Sequence, residues 1–325
     1  MTSFIDRVDP DLRATLVAFP DRILDFSVGM DVIRKAFADT REQANALLPE
    51  VPGVTHRDLT VPGYAEGDAD VLVRVYEADG RVGPSPAIYW IHGGGMVVGA
   101  YDEQDFLCKT WATRFGALVV SVEYRLAPEH PYPAPIEDCY AGLRWLWRAA
   151  TEFGVDASRV TVIGASAGGG LAAGTCLLAR DLGEVTPNAQ VLFYPMIDDR
   201  DATPSNREIT YSKVWHRDAN RFGWAAYLGD LDGTDNVPIY AAPARATAEQ
   251  LRGLPPTFID VGELDSFRDE DIEYAQKLLQ AGVATELLVT PGAFHASESY
   301  NPSAPSSHRI NRFRNEALAR ATAAS

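Results

Sequence analysis

The chain has 325 residues, 46% hydrophobic and 23% charged, with a formal charge of −16. The apolar share supports a sizeable packed core and excludes a disordered or fibrous chain. The charge repels nucleic acid and anionic lipid head groups, so a small neutral ligand is the expected partner. No apolar run is long enough to span a bilayer, and the first residues, MTSFIDRVDPDLRATLVAFP, carry acids and prolines where a signal peptide needs an apolar stretch, which points to the cytoplasm. Cys108, Cys139 and Cys176 are odd in number and show no C-x-x-C spacing, so they read as small buried hydrophobes. No metal or organic cofactor is expected, and a homodimer is an assembly the chain allows.

Taken in order, residues 1–50 offer no strand, but Val32, Ile33, Ala36 and Phe37 recur at helical spacing and predict an amphipathic helix. From about residue 70 the chain alternates β-branched runs with helical stretches, the pattern of a mostly parallel sheet. Residues 70–78 (DVLVRVYEA) alternate apolar and polar side chains, as in a half-exposed edge strand. Residues 87–91, 117–124, 160–163, 191–195, 257–261 and 286–289 are more uniformly apolar, as in strands buried on both faces. Helices are predicted over 140–150, 171–182 and 269–281, the last with Ile272, Tyr274, Ala275, Leu278 and Leu279 as its apolar set. Glu137 and Asp138 follow Pro135 where a first helical turn favours acids. Residues 200–242 carry Tyr211, Trp215, Phe222, Trp224 and Tyr227 between two core strands. The expected organisation is an α/β catalytic domain over 51–325, covered by a cap made from residues 1–50 and the insertion at 200–242.

The stretch VTVIGASAGGGLAAG, residues 160–174, admits two readings. Its G-x-x-x-G-x-G spacing suits a dinucleotide-binding turn, yet an acid about twenty residues on, at the end of the next strand, is missing: Glu184 precedes that strand and Asp198 comes too late. No tyrosine is followed by lysine at the spacing a short-chain dehydrogenase needs. The same stretch spells G-x-S-x-G, in which Ser166 sits on a sharp strand-to-helix turn as a nucleophile. Such a serine needs oxyanion donors, a base and an acid that orients the base. His92-Gly93-Gly94-Gly95 follows an apolar strand, so the amides of Gly93, Gly94 and Gly95, with that of Ala167, are the candidate donors, and His92 supports the loop. Of six histidines, His295 lies on a loop just past a core strand, where ligands gather in open α/β sheets. Among Asp260, Glu263, Asp265, Asp269 and Glu270, Asp265 is best placed to orient it, with Glu263 second. The order Ser166, Asp265, His295 is the order of α/β-hydrolases.

HGGG at residues 92–95, YRLAPEHPYPAP at 124–135, GASAGG at 164–169, LDSFRDE at 264–270 and Phe294-His295 together resemble the bacterial hormone-sensitive-lipase family of α/β-hydrolase esterases. The likeness runs from about Asp70 to the C-terminus. It implies an α/β-hydrolase fold with a helical cap, a triad at Ser166, Asp265 and His295, an oxyanion hole in the HGGG loop, and hydrolysis of small acyl esters. Three positions depart from the family pattern: Ala165 stands where Asp or Thr is usual, Ser266-Phe267 replaces Pro-Leu and loosens the acid loop, and Met96 replaces an aromatic beside the oxyanion hole. Met96, Ala165, Trp215, Phe222 and Trp224 are candidate pocket residues, although aromatics such as the last three are more often core in a helical segment. The same triad also serves an amidase or carbamate hydrolase, and a non-catalytic ligand-binding protein of this fold is the alternative of a different class.

Overall fold

The computed structural model describes residues 3–18 and 24–323; residues 1–2, 19–23 and 324–325, which fall within the expected cap and catalytic ranges, lie outside the described residues. Eight strands are present among the described residues: β1 (Val54–Val61), β2 (Val71–Ala78), β3 (Ser85–Ile91), β4 (Leu118–Glu123), β5 (Val155–Ala165), β6 (Ala189–Phe193), β7 (Thr257–Leu264) and β8 (Thr285–Phe294). They form one sheet in the order β1-β2-β4-β3-β5-β6-β7-β8. The β1–β2 and β2–β4 pairs are antiparallel and every other pair is parallel.

The helices are α1 (Phe4–Arg7), α2 (Pro10–Ala18), α3 (Met30–Ala46), α4 (Asp105–Phe115), α5 (Ala134–Ala149), α6 (Ala167–Leu182), α7 (Pro204–Glu208), α8 (Arg217–Leu228), α9 (Arg268–Gln280), α10 (Ser297–Tyr300) and α11 (Pro305–Thr322). They cover both faces of the sheet, and β3 shows why its sequence is continuously apolar. Ala87, Tyr89 and Ile91 face a core shared with α5, α6 and α9, whereas Ile88 and Trp90 face a second core built with α4 and α11. A strand with a hydrophobic layer on each side has no polar face to offer.

Two expectations about edges are corrected. Residues 70–78 are not an edge: β2 lies between β1 and β4. The outer strand is β1, which the sequence pattern hides because His56, Arg57 and Asp58 stay exposed in its middle. It is held by its register with β2 and by the Asp58–Arg74 ion pair across that register. At the other end β8, expected to be buried on both faces, is the second edge, and its first residues are only half-buried.

Two helix faces are also rotated from expectation. In α9, Tyr274, Ala275 and Leu278 point inward as predicted, but Ile272 and Leu279 are exposed while Glu270 and Asp271 are fully buried. Glu270 is drawn inward because its carboxylate accepts from the amides of Ile197 and Asp198 and from Asn206 Nδ2. In α5, Asp138 does not serve the first turn. It is buried and takes a bidentate pair from Arg125, together with the Arg125 amide.

The helix predicted around residues 32–37 is α3. It docks through Ile33 with Val32 outward, and Arg34 donates to the carbonyls of Val97 and Ala127. Val8, Leu12 and Leu16 from the N-terminal helices pack with Ile209, Val214, Leu264 and Phe294 in a third apolar cluster. The three cysteines are buried and free. Among the described residues no helix is long and apolar enough to cross a membrane.

Candidate active site

The parallel strands β3, β5, β7 and β8 end at the same edge of the sheet, and each is followed directly by one of the predicted functional segments. Ser166 lies between β5 and α6 with φ +56° and ψ −122°, a left-handed backbone that costs a residue with a β-carbon about 1–2 kcal/mol. The turn survives because it is tied down on both sides: the Ser166 amide donates to Phe193 O, and its carbonyl accepts from the amides of Gly170 and Met196. It is also too tight for side chains at its flanks. A β-carbon on Gly164 would fall on the Gly168 carbonyl, and one on Gly168 would fall on the carbonyls of Ile91 and His92.

His295 follows β8 and comes within hydrogen-bond distance of both expected partners. Its Nδ1 is 2.8 Å from Asp265 Oδ2 and its Nε2 is 3.0 Å from Ser166 Oγ. A carboxylate can only accept, so Nδ1 carries the proton and Nε2 is left to receive one from the serine hydroxyl. All three residues are buried, Asp265 completely, which strengthens charge interactions among them.

Each competing carboxylate has other work. Glu263 accepts from the Gly292 amide and pairs with Arg7; Asp260 is bidentate with Arg314; Asp269 pairs with Arg268 and accepts from the Ser205 amide; Glu270 is occupied as described above. The Ser266-Phe267 departure does not loosen the acid loop. Ser205 Oγ and Asn206 Nδ2 both donate to Ser266 O, the Phe267 amide donates to Asp265 Oδ1, and the Phe267 ring meets His295 edge to face at 5.2 Å.

The glycine loop lies against Ser166: a β-carbon on Gly93 would sit 3.3 Å from the Ser166 Cβ. Gly94 and Gly95 have φ of +115° and +60°, and among the described residues their amides donate to no protein acceptor. The Ala167 amide belongs to the first turn of α6, whose N–H groups have no partner inside the helix. His92 Nδ1 lies 2.8 Å from the Gly93 carbonyl, so Nδ1 carries the proton, and the ring stacks on Tyr124 at 4.2 Å. Burial holds the imidazole down to about 4, so it is neutral. Tyr124, which opens the YRLAPEHPYPAP run and carries no sequence signal of a functional role, braces the loop: its hydroxyl donates to His92 O at 3.0 Å.

Of the candidate pocket residues, Trp215 borders both His295 and the glycine loop. Its ring lies 6.3 Å from His295, and a β-carbon on Gly95 would strike it. Phe222 stacks on Phe26 at 4.5 Å, and Phe26 meets Trp215 edge-on, so these three form one aromatic wall. Trp224 is core, buried beside Tyr227. Met96 is fully buried with φ +65°, and its carbonyl accepts from the Ala127 amide. Ala165 is half-buried and closes β5.

A strained serine, a histidine–carboxylate pair aimed at it and unpaired amides beside it define the class: a serine hydrolase on an α/β sheet. Comparison with known proteins agrees. A family model described as alpha/beta hydrolase fold matches residues 88–299. Carboxylesterase NlhH of Mycobacterium tuberculosis is 38% identical over 292 residues, covering 89% of this chain and 88% of that protein. The arylesterase of Saccharolobus solfataricus is 30% identical over 298 residues, 89% of this chain and 92% of its own. The structure of a bacterial heroin esterase superposes with a TM-score of 0.93 at 41% identity, covering 99% of this chain and 100% of that one. The chain belongs to the α/β-hydrolase fold family, in its hormone-sensitive-lipase-like branch. Its activity is that of a serine carboxylesterase, which removes the dehydrogenase and non-catalytic readings.

Proposed function

We propose that Ser166 is the nucleophile, His295 the general base and acid, Asp265 the group that orients it, and the amides of Gly93, Gly94, Gly95 and Ala167 the oxyanion hole. The observation that carries this reading is the continuous hydrogen-bond chain from Ser166 Oγ through His295 to Asp265. Ser166 Oγ adds to the ester carbonyl carbon as its proton passes to His295 Nε2. The carbonyl oxygen, now an anion, is held by the unpaired amides, each worth about a hundredfold or more in rate. The C–O bond to the alcohol breaks as His295 returns the proton to the leaving oxygen. Water then repeats the sequence on the acyl-serine, leaving the free acid and Ser166. Asp265 holds the imidazole in the tautomer with hydrogen on Nδ1 and stabilises the imidazolium that forms.

The substrates are small neutral esters with short acyl groups. Trp215 crowds the Gly95 side of the site, and the wall of Trp215, Phe222 and Phe26 suits a flat aryl group better than a long chain; the relative named arylesterase points the same way. Residues 1–50 and 200–242, which supply that wall, act as the cap. The three buried free cysteines suit the reducing cytoplasm. p-Nitrophenyl esters of increasing acyl length, run beside one aryl amide, test the proposal. Acetyl and propionyl esters turn over fastest, the amide is inert, and Ser166→Ala abolishes turnover without altering circular dichroism. Retained turnover in Ser166→Ala overturns the assignment; a faster amide moves it to the amidase reading.

A further inference from the structure

Just below the relay lies a buried charged cluster that the reaction as described does not use. Tyr194, the residue after β6, has φ +36°, a conformation that costs any residue with a β-carbon about 1–2 kcal/mol. Four contacts hold it there. Its amide donates to Asp260 O at 2.6 Å, its hydroxyl donates to Glu298 Oε1 at 2.9 Å, and the Arg314 guanidinium lies 5.1 Å from its ring centre. The fourth contact is with His295, whose ring it meets in a T-shaped arrangement at 4.7 Å and 64°.

The cluster is closed on itself. Arg314 donates through Nη1 to Glu298 Oε1 at 2.7 Å and through Nε and Nη2 to both oxygens of Asp260, at 2.8 and 2.6 Å. Tyr194, Glu298, Arg314 and Asp260 are all buried. Burial alone would raise the Glu298 carboxyl, but the Arg314 guanidinium outweighs it and holds that group below its ordinary range. Glu298 is three residues beyond His295, on the short helix α10 that follows it. One cluster therefore fastens both the loop that carries the imidazole and the ring that leans on it.

Hydrogen bonds to ring nitrogens run along the lone-pair and N–H directions, so those to Asp265 and Ser166 leave the tilt of the ring to whatever touches its faces and edges. We propose that Tyr194, clamped by Glu298, Arg314 and Asp260, is a positioning residue that sets the plane of the His295 ring so that Nε2 points at the Ser166 hydroxyl. The inference rests on His295 being the base. Tyr194 touches no reacting atom and acts on rate through another side chain.

The test uses the full chain with p-nitrophenyl acetate. Tyr194→Ala, which removes the ring, lowers kcat by about a hundredfold with KM within about twofold of wild type, the cost of a misplaced catalytic group. Tyr194→Phe keeps the ring and frees its far end, so kcat falls by about threefold to tenfold while circular dichroism stays unchanged. Proton NMR adds a readout that a merely structural role would leave alone. The low-field signal of the His295 Nδ1 proton, sharp in wild type, broadens in Tyr194→Phe. Wild-type kcat and a sharp signal in Tyr194→Phe overturn the proposal, as does a rise in KM at constant kcat, which makes Tyr194 a substrate contact. Should Tyr194→Ala fail to fold, Tyr194→Phe decides. If Ser166→Ala is inactive while Tyr194→Phe is normal, only this inference fails; if Ser166→Ala is active, the triad assignment fails first.

Discussion

Asp265 and Glu263 leave the same strand two residues apart, and their surroundings give them different work. Asp265 is fully buried and spends one oxygen on His295 and the other on its own loop; Glu263 faces outward, holding the Gly292 amide and Arg7. Losing the Asp265 carboxylate lets the imidazole take the wrong tautomer, so Asp265→Asn lowers kcat by about ten-thousandfold. Glu263→Gln removes only a half-exposed pair and leaves kcat within about threefold. Steady-state kinetics of the two variants checks both, and a larger loss in Glu263→Gln would reverse the roles. Ser166, His295 and Asp265 were legible because each sits immediately past a strand and in α/β-hydrolase order. Tyr124, Tyr194 and Arg314 were not, because a buried tyrosine or an arginine on a terminal helix has no local pattern that separates bracing from packing. Ala165 is the unusual residue of the GASAGG turn; half-buried at the end of β5, its methyl group can make no hydrogen bond, and nothing among the described residues replaces the side chain usual there.

The segment from His92 to Gly99 carries free amides, and its shape depends on a histidine that has to stay neutral. The Nδ1–H of His92 holds the Gly93 carbonyl, its Nε2 is buried without a partner among the described residues, and Tyr124 covers its face. Because burial depresses this group from 6.5 to about 4 in the folded protein, protonation favours the unfolded chain. Its contribution, on the order of 3 kcal/mol, is complete above about pH 6.5 and is lost as pH falls toward 4. His92→Asn keeps a donor for Gly93 without the titration, so between about pH 7.5 and 4.5 it loses less stability than wild type in urea unfolding, by about 3 kcal/mol. Equal losses in the two proteins would contradict the neutral, buried histidine. Elements were legible where both faces are apolar, as in β3 and β5, or where helical spacing was clean. β1 escaped notice because an edge strand can keep its charges in water. The inward face of α9 differs from the apolar spacing because the Glu270 carboxylate finds buried amide partners, which hydrophobic spacing does not register.

The whole molecule assembles the site through topology. Parallel β3, β5, β7 and β8 deliver the glycine loop, Ser166, Asp265 and His295 to one edge, although up to 203 residues of sequence separate His92 from His295. Phe26 from the N-terminal part and Trp215 and Phe222 from residues 200–242 contribute the aromatic wall beside it. The excess negative charge disfavours polyanionic substrates, consistent with neutral esters. That a serine, a carboxylate and a histidine would lie in this order along an α/β chain was legible in the motifs. How closely Trp215 approaches the glycine loop was not, because no spacing rule links a residue in an insertion to a turn more than a hundred positions earlier. The central claim is that one serine, activated by His295, carries the acyl group. The most direct measurement is labelling with diethyl p-nitrophenyl phosphate followed by mass spectrometry of the digested protein. The account predicts one diethylphosphoryl group per chain, on the peptide containing Ser166, appearing in step with loss of esterase activity and absent from Ser166→Ala. A label on another residue that tracks the loss of activity, or full activity in a chain labelled at Ser166, would contradict it.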